Sequence, residues 1–169
     1  MAPLEIDNAF WRFSLRVYGV PGVAAECLEL QDKLGLDVNV VLFAAWLGAE
    51  RGKVLDPSDL DCIEQALAGW SGDVVRPLRS VRQTLKTLPE IAEPEVQALR
   101  KRIAETELFC EQIEQAFLFR LAGEIGHPAS SSAGAARMNI ELLLDRRGIK
   151  LDAFPLPKLR VAWDRPEGK

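Results

Sequence analysis

The chain has 169 residues, of which 48% are hydrophobic, and its 21 Lys and Arg against 25 Asp and Glu leave a net charge of −4. This length and hydrophobic content suit one domain with a continuous core, and they exclude a wholly disordered chain. The negative charge argues against a general binder of nucleic acids or anionic membranes, because phosphate contacts need a surplus of Lys and Arg. We therefore expect no nucleic-acid partner.

The cysteines and the first residues indicate the cellular location of the protein. Cys27, Cys62 and Cys110 are odd in number, far apart and in neither CxxC nor CxxH spacing, so they predict no disulfide framework and no zinc site. The first residues lack a basic flank followed by an apolar run, and they predict no secretory signal. We expect a cytoplasmic protein with reduced thiols.

Three helices are predicted in the first third of the chain. Helix 1 spans residues 7–18, and helix 2 spans residues 22–34 between Pro21 and Gly35, which suit the first turn and the end of a helix. Helix 3 spans residues 38–49 and holds no charged side chain. A bilayer needs roughly 20 apolar residues, so this run predicts no membrane span but the central helix of an α-helical bundle.

Two further helices follow helix 3. Asp56 and Pro57 form a strong start for helix 4, which is predicted to run to about residue 68. Ser71 is expected to cap helix 5, which continues to about residue 88. Pro77 lies too far inside helix 5 for a first-turn position, so we expect a kink or a delayed start there.

The segment 93–124 is the longest periodic run. Its seam positions alternate three and four residues apart over about three heptads, at Val96, Leu99, Ile103, Thr106, Cys110, Ile113 and Phe117. This seam predicts either a spine for the other helices or a dimer interface. Additional apolar residues such as Leu108 and Phe109 widen the stripe and favour the spine.

The last third of the chain is predicted to be looser. The small residues around 126–135 predict a flexible loop, and a last helix is expected at 136–147. Residues 151–169 contain three prolines and predict an extended tail. Three apolar side chains could pin this tail to the bundle: Phe154, Leu156 and Trp163.

Together these elements predict a single all-α bundle in residues 1–150. It has about seven helices around a central uncharged helix, one long heptad-patterned helix and an extended C-terminal tail. The oligomeric state stays open, because a heptad seam serves packing within a chain and between chains alike.

A basic stripe is predicted on helix 5. Its four cations are three, three and four residues apart and fall within an arc of about 120°: Arg76, Arg79, Arg82 and Lys86. The stripe could be solvated or paired with acidic residues of the same chain, dock a protein, or bind an anion. We favour the solvated or paired face.

Polar residues lie among apolar ones on helices 1 to 3 and are expected to meet at one end of the bundle. Such residues form either a buried hydrogen-bond network, which we favour, or a small ligand site. Two tryptophans could line the site. The candidate ligand-binding residues are Trp11, Ser14, Tyr18, Gln31, Asp32, Asn39 and Trp46.

The sequence predicts no metal site, no cofactor and no catalytic residue. Asp56, Asp59 and Asp61 lie close together, but they lack the loop of an EF-hand and are explained by helix capping. His127 is the single histidine and falls in the predicted loop. This excludes carboxylate-bridged di-iron bundles, which need paired Glu-x-x-His units.

Most of the chain resembles a known family, and the resemblance is specific in the first third. The residues that carry the resemblance are FWxFSLxxY at 10–18, CLxLQD at 27–32 and GxDVN at 35–39. They resemble a family of mostly proteobacterial proteins of unknown function and of about this length. The resemblance implies a bacterial, cytosolic, all-helical domain, and it implies no activity, cofactor or catalytic residue.

Three functions are compatible with these patterns. The favoured one is a non-catalytic interaction or adaptor module, which binds another protein or itself through the basic stripe, the long helix or the prolyl segment 155–157. The alternative is a bundle that binds a small apolar ligand in a pocket between helices 1, 2 and 3. The least favoured is a helical enzyme that uses Asp32 with Arg76 or Arg79.

Overall fold

The computed structural model describes residues 3–130, 134–153 and 156–163, and it confirms the predicted all-α class. The α-helices are α1 (Ala9–Tyr18), α2 (Val23–Leu34), α3 (Val38–Ala49), α4 (Pro57–Trp70), α5 (Arg76–Thr87), α6 (Pro94–Leu121), α7 (Ala135–Asp145) and α8 (Pro157–Trp163). Two short strands, β1 (Lys53–Val54) and β2 (His127–Pro128), pair antiparallel. Helices α1 to α7 correspond to the predicted seven. None of the described helices is long and apolar enough to cross a membrane.

Helix α3 is the centre of the bundle, as its uncharged sequence predicted. Residues 41–48 are all buried, and α3 contacts α1, α2, α6, α7 and α8. On one side, Phe10 of α1 stacks with Phe43 and Trp46 of α3, with ring centroids 5.4 and 5.5 Å away. A helix with apolar side chains on every face is stable only when it is surrounded in this way.

Helices α3 and α7 approach each other most closely at Gly48. A Cβ atom built on Gly48 would lie 2.1 Å from the backbone nitrogen of Ala136, so only glycine allows this contact. Ala135 and Ala136 are both buried. The expectation that Ala135 belongs to a flexible loop is therefore wrong, because its small side chain lets α7 begin directly against α3.

Asn139 of α7 connects three elements inside the core. Its Nδ2 donates to the carbonyl oxygens of Ala44 and Lys53, each at 3.0 Å. Its Oδ1 accepts a hydrogen bond from the backbone N–H of Leu55 at 2.8 Å. The side chain is buried, and every one of its polar atoms has a partner, as a buried amide requires.

Helices α4 and α5 form one helical run joined by a π-helical turn, Ser71–Val75. The expected break with Ser71 as a cap is wrong, since Ser71 keeps helical dihedral angles and donates its hydroxyl to Asp37 Oδ2 at 3.2 Å. Pro77 has no N–H for the carbonyl four residues earlier, and the backbone takes the wider π register just before it. The delayed start is confirmed, because α5 begins at Arg76.

The two halves of α6 have different neighbours. Its second half holds all the buried residues of the helix, from Glu107 onwards. In the described part of the chain α6 packs against α1, α3, α4 and α5 but makes no extensive contact with α2, α7 or α8, so it is a spine for only part of the bundle. Its first half, residues 94–106, has no buried residue, and α5 has none either. These two segments pack against each other across a 3₁₀ turn, Pro89–Ala92. We call them the α5–α6 hairpin.

The tail is not extended, contrary to prediction, because residues 157–163 form α8. Glu26 of α2 caps this helix: its carboxylate oxygens accept hydrogen bonds from the backbone N–H groups of Lys158 and Leu159 at 2.9 and 2.8 Å. Leu156 and Trp163 are buried, which confirms their expected anchoring. Phe154 lies outside the described residues.

The loop predicted at 126–135 is partly ordered by strand pairing. His127 and Pro128 form β2, which pairs with β1. Beside this ribbon, Lys53 Nζ donates to the carbonyl oxygens of Ala122 and Ile125 at 2.7 and 2.8 Å. A cation at the end of a helix satisfies carbonyls that have no partner within the helix, so Lys53 holds the end of α6 in place. Residues 131–133 lie outside the described part.

Candidate functional site

A cavity of about 180 Å³ opens between α1, α2, α3, α5 and α6, and we call it the α1–α6 pocket. Its walls are mostly apolar, with a small number of polar groups, which is the usual composition of a small-molecule site. Five of the seven predicted ligand-binding residues line it: Trp11, Ser14, Tyr18, Gln31 and Asn39. The other lining residues are Leu15, Asp37, Val38, Leu42, Arg79, Leu108, Glu111 and Gln115.

Two predicted site residues do not line the pocket. Asp32 is exposed on the outer side of α2. Trp46 is buried in the aromatic cluster of α3, and its Nε1 donates to Glu50 Oε2 at 3.1 Å. The enzyme hypothesis needed Asp32 together with Arg76 or Arg79, but Asp32 lines neither this pocket, which contains Arg79, nor the neighbouring cleft, which contains Arg76.

The mouth of the pocket carries exposed apolar side chains. Leu15 of α1 and Leu108 of α6 are each 55% exposed, and Tyr18 is 40% exposed. This side of α1 therefore faces the opening. Burial raises the pKa of the Tyr18 hydroxyl to about 12, with smaller contributions from Cys27 and Glu111.

A chain of buried polar groups forms the inner wall. Gln115 Nε2 donates to Asn39 Oδ1 at 2.8 Å, and Asn39 Nδ2 donates to Glu114 Oε1 at 3.4 Å. These three side chains are buried. The network predicted among the polar residues of α1, α2 and α3 is not formed in the described part of the chain, because the side chain of Asn39 pairs with two residues of α6 instead.

Two oxygen atoms in the pocket wall have no hydrogen-bond partner among the described residues. They are Ser14 Oγ and Gln115 Oε1, and each belongs to a side chain only 3% exposed. A buried polar atom without a partner costs about 1–3 kcal/mol, so proteins seldom keep one without a reason.

Asp37 and Glu114 form an acidic pair behind the pocket. Asp37 caps α3 by accepting a hydrogen bond from the backbone N–H of Asn39 at 2.9 Å. Burial, followed by the nearby charge of Asp37 and a hydrogen bond to it, raises the pKa of Glu114 to about 9. At neutral pH Glu114 is therefore a neutral acid, whose proton can be donated to Asp37.

Arg79 closes one side of the pocket. Its Nη1 donates to Gln31 Oε1 at 2.8 Å, its Nη2 to Glu111 Oε1 at 2.5 Å and its Nε to Glu107 Oε1 at 3.0 Å. Arg82 also pairs with Glu107, at 2.5 Å. Burial alone would raise the pKa of Glu107, but the hydrogen bonds from Arg82 and Arg79 outweigh it and lower that pKa.

The basic stripe is thus partly paired inside the chain, as one of its three interpretations expected. Arg76 lies in a neighbouring cleft of about 410 Å³ that also contains Arg147. Among the described residues, no carboxylate lies within ion-pair distance of Arg76 or of the exposed Lys86. Four residues line both the cleft and the pocket: Gln31, Asp37, Asn39 and Arg79.

An acidic cluster at the start of α4 is explained by capping. Asp56, Asp59 and His127 place ligand-type atoms within 4.8 Å of one another. However, Asp59 accepts hydrogen bonds from the backbone N–H groups of Asp56 and Gly126 at 3.0 and 3.2 Å. Hydrogen bonds from Ser58, the Asp59 backbone and His127 hold the pKa of Asp56 well below its usual range. The carboxylates are therefore already occupied within the chain.

Cys27 shows no feature of a nucleophile. It is buried, and burial, with a smaller effect of Glu26, raises the pKa of its thiol to about 12. A reactive cysteine needs a lowered pKa, because the thiolate is the reacting form.

Sequence analysis missed the contribution of α6 to the pocket. Leu108, Glu111 and Gln115 are three and four residues apart and so share one face of the helix. This spacing runs beside the heptad seam, and it could have indicated a second, half-polar face. Nothing in the sequence indicated which helix would cover that face.

The chain was compared with known proteins. No curated protein and no solved structure matches it significantly. A family model described as "Protein of unknown function (DUF2390)" matches residues 9–118, the part that contains every residue of the α1–α6 pocket. The matched part is more than half of the chain, and the chain belongs to this family of proteins of unknown function.

Proposed function

We propose that the protein binds a small ligand with an apolar body in the α1–α6 pocket. The observation that carries this proposal is the pair of buried, unpartnered oxygens, Ser14 Oγ and Gln115 Oε1, in the wall of a cavity with one apolar and one polar side. A ligand that hydrogen-bonds these atoms would remove the penalty of leaving them without a partner.

The size and position of the pocket support the same proposal. An apolar cavity of about 150 Å³ is large enough for a molecule such as benzene, and this pocket measures about 180 Å³. Leu15 and Leu108 at its mouth are apolar and exposed. Part of a longer ligand could therefore extend over them and cover apolar surface.

The experiment is isothermal titration calorimetry of the full chain with 1-octanol, a neutral probe with an apolar body and one hydroxyl. Leu108→Trp places a larger side chain at the mouth, where Leu108 is 55% exposed. Leu28→Trp makes the same change at a residue that is 52% exposed on α2 and does not line the pocket. We expect saturable binding to the wild type and to Leu28→Trp, and at least tenfold weaker binding to Leu108→Trp.

Two results would contradict the proposal. One is the absence of saturable 1-octanol binding to a folded wild-type chain. The other is equal affinity for the two tryptophan variants, which would place the bound alcohol outside the pocket.

A second candidate function is self-association through the α5–α6 hairpin, in line with the interaction hypothesis. It is supported by exposed apolar residues on the hairpin and beside it, including Leu99 at 49% and Phe109 at 52% exposure. Sedimentation velocity of wild type and Leu99→Ser/Phe109→Ser tests it. A dimer that dissociates in the double variant supports the candidate, and a monomer at 100 µM or so would contradict it.

The prolyl segment is no longer a proposed docking site. Leu156 is buried and Pro157 is the first residue of α8. A cytoplasmic location remains a proposal, supported by three free cysteines, Cys27, Cys62 and Cys110. A bacterial origin also remains a proposal, supported by the family resemblance alone.

A further inference from the structure

We propose that the ligand of the α1–α6 pocket is an organic cation, with an apolar body and a protonated amine as its head. This inference rests on the proposed function and names the class of ligand. It starts from the acceptor atoms and the carboxylates on the polar side of the pocket.

The unpartnered atoms of the pocket wall call for a hydrogen-bond donor. Gln115 Oε1 can only accept, and the amide nitrogen of the same side chain already donates to Asn39. Ser14 Oγ can accept as well as donate. An ammonium group has three donors and no acceptor, so it suits these two oxygens better than a carboxylate, which has no donor.

The charges around the pocket also favour a cation. Asp37 and Glu111 line it with carboxylates, against a single lining guanidinium, that of Arg79. Arg79 and Arg82 pair with Glu107 and Glu111, so these four charges balance, and among the described residues Asp37 is the lining carboxylate that has no ion-pair partner. The polar side of the pocket therefore keeps a surplus of negative charge.

Two acids around the pocket have raised pKa values. Burial is the main cause that raises the pKa of Glu111, and the pKa of Glu114 rises to about 9 through burial and the charge of Asp37. The other charged or titratable groups around the pocket are Glu107, Arg79 and Arg82 on α5 and α6, and Tyr18 on α1. A bound cation would favour the ionised form of the raised acids, so its binding releases protons.

The arrangement suits an organic cation better than a metal ion. Within the described residues, the carboxylates of Asp37, Glu111 and Glu114 do not converge within the distance needed to share one small ion. Trp11 and Tyr18 line the same pocket, and aromatic faces attract organic ammonium groups.

The competing chemistry is an anionic head. Such a head would reach past Gln31 and Arg79 into the neighbouring cleft, where Arg76 and Arg147 lie. The cleft has the cations for this, but Arg76 and Arg147 do not line the α1–α6 pocket, and the hydrogen-bonded pair Arg79 and Gln31 lines both spaces. The acceptors in the wall of the pocket itself would then stay without partners.

The experiment compares three probes with the same eight-carbon chain: octylammonium, 1-octanol and octanoate. Each is titrated calorimetrically into the full chain at pH 7, with Leu108→Trp as the blocked control. We expect octylammonium to bind at least tenfold more tightly than 1-octanol, and octanoate to bind most weakly. In buffers of different ionisation enthalpy, octylammonium should release protons and 1-octanol should not.

A matched variant locates the head group. Glu111→Gln removes one charge and keeps an oxygen that can accept from Arg79. We expect octylammonium affinity to fall about tenfold more than 1-octanol affinity, because only the ammonium head carries a charge that Glu111 can attract.

The outcomes separate the two proposals. If 1-octanol binds as tightly as octylammonium, or Glu111→Gln weakens both probes equally, the cation inference is overturned and the pocket remains. If octanoate binds most tightly, the head is an anion and the cleft of Arg76 is its site. If none of the probes binds, or Leu108→Trp binds all three like the wild type, the proposed function itself fails.

Discussion

The α3–α7 contact and the α1–α6 pocket both contain buried amide side chains, but under opposite conditions. In the first, Asn139 has a partner for each of its polar atoms, and Gly48 allows backbone contact. In the second, Gln115 leaves one oxygen without a partner beside a cavity. The first arrangement stabilises the folded chain, whereas the second lowers its stability, a cost that is common at binding sites.

The largest effect is expected from Asn139→Ala. It leaves the Leu55 N–H and two carbonyls without partners in the core, and we expect the free energy of unfolding to fall by about 4 kcal/mol. Chemical denaturation measures this value. Met138→Ala, at an exposed residue of the same helix, should change it by less than about 0.5 kcal/mol. If both variants lost the same free energy of unfolding, the hydrogen bonds of Asn139 would not stabilise the α3–α7 contact as described.

Gly48→Ala should be the next most damaging change. The new methyl group would lie 2.1 Å from the Ala136 backbone, and the forced separation of α3 and α7 should lower the free energy of unfolding by about 3 kcal/mol. The control is Gly69→Ala on α4, where a Cβ meets nothing within 4 Å. That change should raise stability by about 0.5–1 kcal/mol. If Gly48→Ala left the free energy of unfolding unchanged, α3 and α7 could move apart at no cost, which would contradict the prediction.

Arg79→Met tests the ion pairs that close the pocket. It removes hydrogen bonds to Gln31, Glu107 and Glu111, and we expect a loss of about 2 kcal/mol, smaller than in the core because the side chain is partly solvated. Lys86→Met, at the exposed end of the same stripe, should have almost no effect in the same thermal-unfolding assay. A loss at Lys86 as large as at Arg79 would contradict the pairing.

Glu114→Gln should change how stability depends on pH. The folded-state pKa is about 9, above the unfolded value of about 4.3. The unfolded chain therefore loses the proton first, and stability falls as pH rises from about 5 to 9, at up to about 1.4 kcal/mol per pH unit. Glutamine cannot titrate, so the variant should show a flatter profile in urea denaturation at several pH values. Parallel profiles would show that Glu114 is ionised in the folded chain.

The smallest effect separates two buried serines. Ser14 Oγ has no partner among the described residues, whereas Ser71 Oγ donates to Asp37 at 3.2 Å. Ser14→Ala should raise the free energy of unfolding by about 0.5 kcal/mol, and Ser71→Ala should lower it by about 1 kcal/mol. A lower free energy of unfolding for Ser14→Ala would mean that Ser14 Oγ already has a hydrogen-bond partner when no ligand is bound.

The fold could be predicted wherever a local signal decided it. The uncharged run of α3 predicted the centre of the bundle, and Asp56 with Pro57 predicted the start of α4. The failures occurred where a distant residue decided the structure. Glu26 caps α8 from more than a hundred residues away, and such a cap leaves no signal in the local sequence. The prolines of the tail were the only local signal, and they predicted an extended segment.

The lining of the α1–α6 pocket was predicted in part, for a similar reason. Ser14, Gln31 and Asn39 could be recognised as polar residues among apolar neighbours on α1 to α3. Asp32 has the same sequence surroundings as Gln31, but the rotation of α2 leaves it exposed. Gln115 pairs with Asn39 across the bundle, and a single sequence holds no signal for such a contact.

The most direct test of the binding site is native mass spectrometry of the wild type and of Leu108→Trp, each purified from its own source under the same conditions. A small mass bound to the wild type and missing from Leu108→Trp is the result that a ligand site in the α1–α6 pocket predicts. The same bound mass in both proteins, or the bare chain in both, would contradict it.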